Sequence, residues 1–144
     1  MEHQSSFDIK NASDFFNQMV LPQYQEFLEN NASSRHALLT TILAYHLYEW
    51  VHGGKKFSRC SEDEFRSLYP SDIEICSIMK VAGHLTNGTK HFGNKDTKTR
   101  TQTGFISAFS DAFARPLNII LSDGNEVSAD VFLGKLIEFW KRKL

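Results

Sequence analysis

Ser61-Glu62-Asp63-Glu64-Phe65-Arg66-Ser67-Leu68-Tyr69-Pro70-Ser71-Asp72-Ile73-Glu74 holds the two strongest structural signals in this 144-residue chain. Each Ser-x-x-Glu within it reads as a capping box, in which the Ser oxygen accepts from a free first-turn N–H and the Glu reaches back. Ser61 with Glu64 opens a short helix that must stop before Pro70, because the residue ahead of a proline is pushed out of helical geometry. Ser71 with Glu74 opens a longer helix through Ile75, Ile78, Met79, Ala82 and Leu85 towards His91.

Upstream, Ser33 or Ser34 opens a helix carrying Leu38, Leu39, Ile42, Leu43, Tyr45, Leu47, Trp50 and Val51 on more than one face. That all-round apolarity marks it as the central helix, and Gly53-Gly54 ends it as glycine at a C-cap does. Before it, Ser13 reads as an N-cap, with Phe15, Phe16, Met19, Val20, Tyr24, Phe27 and Leu28 as one apolar stripe closed by Asn30-Asn31. Pro22 interrupts that stripe and predicts a kink or restart, since it cannot bond to the carbonyl of Gln18.

Downstream of Gly93 the character changes. Asn94 to Thr103 reads as an exposed basic loop, and Gly104–Ser110 and Leu117–Leu121 as strand-like runs. Asp123-Gly124 predicts a tight turn into Glu126–Ser128, completing a β-hairpin. Ser128 then caps a last helix with Phe132, Leu133, Leu136, Ile137, Trp140 and Leu144 on one face. Lys141, Arg142 and Lys143 complement its dipole. The expectation is a mainly α (α+β) fold. A four-helix-bundle-like domain would carry a small C-terminal antiparallel β-hairpin or sheet and a final helix. All of it would form one domain over 1–144, helical over about 13–92 and hairpin plus terminal helix over about 104–144.

Composition narrows function by exclusion. A formal net charge of −1 supplies no global field towards nucleic acid or membrane. No run approaches the ~18 apolar residues of a spanning helix, and no secretory signal is visible at Met1–Ser6. With Cys60 and Cys76 as the two cysteines, neither a disulfide framework nor a metal finger is expected. The predicted location is the cytoplasm, with no membrane partner.

Chemistry concentrates on the long helix. Lys80, His84, Asn87 and His91 recur at spacings that share one helical face, opposite Ile75, Ile78, Met79, Ala82 and Leu85. Two imidazoles can act as general base and acid near neutral pH, with an amide and an ammonium to orient and hold an anion. Lys90, Lys95, Lys98 and Arg100 add phosphate-binding charge in the adjoining loop. No metal site is expected. The Cα atoms of His84 and His91 are ~10.5 Å apart along the axis, and Glu49-x-x-His52 has no second copy to complete a carboxylate-bridged pair. His46 and His52 read as polar-face residues near the end of the central helix. No cofactor motif is present.

Leu47-Tyr48-Glu49-Trp50-Val51, Asn87-Gly88-Thr89-Lys90-His91 and the closing Phe139-Trp140 helix resemble a group of small bacterial proteins whose central long helix ends in a Lys-His pair. More distantly, the helical part resembles HEPN domains, bundles of four or five helices. Many of these are metal-independent ribonucleases of toxin–antitoxin, abortive-infection and CRISPR systems. Their motif is an Arg followed four to six residues later by a His. His91 matches the His, but residues 84–87 are His84, Leu85, Thr86 and Asn87, with no Arg. The resemblance implies His91 as base or acid, His84 as its partner, Asn87 as an orienting group and Lys90 as a phosphate contact. The leading expectation is a non-enzymatic binding or assembly module, with the aromatic residues and hairpin forming a homodimer or protein interface. The alternative is a HEPN-like ribonuclease or RNA-binding component.

Overall fold

A computed structural model describes residues 6–90, 98–101, 117–121 and 123–144. In chain order its principal elements are α1 (Ala12–Phe15), a π-helical turn (Phe16–Val20), α2 (Leu21–Glu29), α3 (Ser34–Val51), a 3₁₀ turn (Phe57–Arg59), α4 (Glu62–Leu68), α5 (Ile73–Lys90), β1 (Lys98–Thr101), β2 (Leu117–Ile120), β3 (Glu126–Ser128) and α6 (Ala129–Lys143). The fold is mainly helical, with a small antiparallel sheet and a closing helix, as the sequence predicts.

The first helix begins earlier than expected. Asn11, not Ser13, is its cap: the Asn11 Oδ1 accepts from the Asp14 N–H at 2.8 Å, while Asp14 accepts from the Lys10 N–H at 3.0 Å. Asn caps as well as Ser, and the reciprocal Asp14 bond decides between them. Pro22 does not force a restart. The π turn ahead of it lets the Leu21 N–H reach the Phe16 carbonyl, and helical backbone continues into α2.

Ser33 caps α3 through His36 N–H, and Gly53 (φ 63°) and Gly54 (φ 93°) end it, with the Gly54 N–H donating to Glu49 O at 2.7 Å. Both glycines hold the left-handed geometry that other residues resist. Ser61 caps α4 through the Glu64 N–H at 3.1 Å. The Glu64 carboxylate pairs with Lys55 at 2.8 Å and is also held by the Ser61 backbone N–H, the reciprocal half of the box. The second box shifts by one: α5 begins at Ile73 and places Asp72 at its cap position. There Asp72 takes Arg142 at 2.8 Å and Lys143 at 3.1 Å, joining the N-terminal end of α5 to the last turn of α6. Those two cations hold the Asp72 carboxyl below the usual carboxylate range.

The sheet has the order β1-β2-β3, antiparallel throughout, with Lys98 opposite Ile120 and Ile119 opposite Val127. Gly124 (φ 87°) makes the β2–β3 turn at the expected place. Lys98–Thr101, read as part of a loop, is instead the edge strand β1. Thr99 and Thr101 are β-branched, and charge on an edge strand discourages pairing with other chains, so the polar composition that suggested a loop suits an edge equally. The strand-like run 104–110 lies outside the described residues.

One core unites helices and sheet. Phe27, Leu47, Tyr48, Phe65, Met79, Phe132, Leu133, Leu136, Phe139 and Trp140 are fully buried, and Ile119 of β2 belongs to the same cluster. Trp140 donates its indole N–H to the Ala44 carbonyl at 3.0 Å, tying α6 to α3. Ser128 caps α6 through the Val131 N–H as expected. Leu144, placed on the apolar stripe by its spacing, lies beyond the helix and is exposed.

Candidate functional site

The face predicted on α5 exists. Ile75, Ile78, Met79, Ala82 and Leu85 are buried, while Lys80, His84, Asn87 and Lys90 are exposed on the outer side. Lys80 is not available as a free anion clamp, because its ammonium pairs with Glu62 of α4. That pairing raises the Lys80 pKa and lowers that of Glu62. His91 and Lys95 lie outside the described residues. Lys98 and Arg100 are in β1, opposite Ile120 and Asn118.

A second concentration of chemistry was not anticipated. His52, read as an ordinary polar-face residue, is half-buried at the C-terminal end of α3. Its ring stacks on Tyr48 with centroids 4.0 Å apart, and its Nε2 lies 2.8 Å from the Tyr69 hydroxyl. Burial, with a smaller contribution from the Lys55 cation, holds the His52 pKa below the ordinary imidazole range, so the ring is neutral at pH 7. Burial also raises the Tyr69 phenol, which keeps its proton, and the imidazole tautomer decides which partner donates in the bond to Nε2. Tyr48 is raised further, by burial first and by the adjacent Cys60 thiol second.

Tyr48 and His52 floor an open groove of about 500 Å³ between the end of α3 and α4, whose other lining residues are Lys55, Asp63, Glu64, Ser67 and Leu68. That volume is of small-ligand size. Lys55 and Glu64 pair at its rim, each shifting the other towards its charged form. A smaller apolar cleft of about 100 Å³ lies where the start of α3 meets β2. Glu49, weighed in the sequence as a partner of His52 at one ion, faces His46 instead, at 3.7 Å. Among the described residues no three His, Cys, Asp or Glu side chains converge as metal ligands would.

One signal for the His52 groove was present in the sequence. Tyr48 and His52 are four residues apart, so they stack on one helical face immediately before the Gly53-Gly54 break. Its completion by Tyr69 depends on how α4 packs, which spacing does not reveal.

No family model, curated protein or solved structure matches the chain.

Proposed function

We propose that the protein is a binding and assembly module that holds a ligand in the His52 groove without transforming it. The observation that carries this reading is the groove's composition. Its imidazole is held neutral and locked by Tyr48 and Tyr69, and the Lys55 cation is spent on Glu64. Such a surface offers fixed shape and hydrogen-bonding groups, which favours recognition over proton transfer.

The test is a fragment library read by thermal shift on wild type and on Ser67→Trp, which fills the groove from an exposed position. Ligands at about a hundredfold excess over Kd add about 2.7 kcal/mol, so they raise the wild-type Tm by several degrees and leave the variant unmoved. Equal shifts in both proteins, or none in either, refute the groove as the binding site.

A second reading follows from the exposed α5 stripe. His84, Asn87 and Lys90 stand together at the surface, as an RNA-directed HEPN-like protein would require. On that reading, wild type cleaves total RNA in the absence of metal, and His84→Ala or His91→Ala abolishes cleavage while leaving the circular dichroism spectrum unchanged. An intact RNA ladder with wild type removes the ribonuclease reading.

A further inference from the structure

The central helix has a face that the rest of the described chain leaves partly uncovered. Its inward side is built from Ala37, Thr40, Thr41, Ala44, Leu47 and Tyr48, all buried. On the opposite side Arg35 and Leu39 (41%) are exposed, and Ile42, His46 and Glu49 are partly exposed. Arg35, Leu39, Ile42, His46 and Glu49 follow one another at alternating spacings of four and three residues. That is the heptad spacing by which one helix presents a straight seam to another. The apolar surface widens towards Trp50, on which Phe15 stacks at 5.1 Å.

We propose that this face binds a second copy of the same chain, through an antiparallel pair of α3 helices with the two-fold axis at Ile42. The charges select both partner and direction. Arg35 and Glu49 each lie seven residues from Ile42, or ~10.5 Å along the helix, in opposite directions. About an axis at Ile42 the Arg35 of each copy meets the partner's Glu49, and the contact occurs twice. Leu39 of each copy packs near the partner's His46, and the two Ile42 side chains meet at the centre. A parallel pairing would set Arg35 against Arg35 and Glu49 against Glu49, so it is disfavoured by like charge. Within one chain Arg35 has no ion-pair partner among the described residues. Among the described residues the one ion-pair partner of Glu49 is His46, at 3.7 Å. An interface that is self-complementary in this way closes as a dimer and does not propagate. It lies on a different surface from the groove and does not depend on it.

The experiment is sedimentation velocity on the full chain over a concentration series reaching hundreds of micromolar. Wild type is expected to dimerise, Ile42→Glu to remain monomeric, and Arg35→Glu to weaken the dimer by about tenfold or more. The double variant Arg35→Glu/Glu49→Arg restores the pairing with the charges exchanged, and a merely unfolded protein would not regain it. A wild type that stays monomeric throughout, an Ile42→Glu variant that still dimerises, or a charge exchange that fails to restore association each overturns the proposal. Ligand shifts blocked by Ser67→Trp would survive any of these outcomes, so the two readings fail separately.

Discussion

His52 shows how much one side chain's setting differs from its identity. Unfolding returns the imidazole to an ordinary pKa of ~6.5, whereas in the folded protein burial and Lys55 hold it lower. As pH falls, the unfolded chain therefore takes up the proton first. The stability contributed by the neutral ring is complete above the unfolded pKa and is lost as pH drops from there through the native value. Melting temperature against pH should slope downward across that window in wild type and flatten in His52→Asn; an unaltered slope would assign the acid sensitivity elsewhere. Tyr69→Phe should cost about 1 kcal/mol at neutral pH by removing the bond to Nε2. An NMR titration of the imidazole separates this loss from any change in protonation. Little of this was legible beforehand. Histidine at a helix end is common on a solvated face, and Tyr69 arrives from the far end of a different helix.

Between elements, α3 and α5 meet tightly at Gly83. A Cβ on Gly83 would sit 2.9 Å from Cε1 of Tyr45 and 3.1 Å from its Cζ and Oη. The ring has limited room to retreat, since it also meets Phe57 edge-on at 6.0 Å. Gly83→Leu should therefore cost about 1–3 kcal/mol through overpacking. Adding Tyr45→Ala should recover part of the loss, which a denaturant double-mutant cycle would show; independent effects would mean that the two residues do not share the contact. Helix existence was readable because caps and apolar periodicity are local. Ser33, Ser61 and Ser128 all cap where their spacing places them, and the Gly53-Gly54 stop stands. The misplacements arose where two good caps stood close together (Asn11 and Ser13, Ser71 and Asp72). Edge strand β1 was missed because its charged, hydroxylated sequence carries no apolar alternation, and only the presence of β2 beside it makes it a strand.

For the molecule as a whole, most aromatic side chains among the described residues serve the interior. Phe16, Phe27, Tyr48, Phe57, Phe65, Phe132, Phe139 and Trp140 are all in the core. Counts of large apolar residues do not distinguish a core from a docking patch, so this use of the aromatic side chains was not legible in the composition. The α5 stripe was legible as a face, but its Lys80–Glu62 pair was not, since it links positions 18 apart across two helices. The same non-locality governs closure of the fold. Trp140 and Ala44, joined by a hydrogen bond, are separated by 96 positions in the chain. On a ribosome adding ~5–20 residues per second, that separation is roughly 5–20 s. Through that interval α3 emerges with its inner face unoccupied by α6, a nascent helix apolar on two sides and exposed to any chaperone that waits at the tunnel exit.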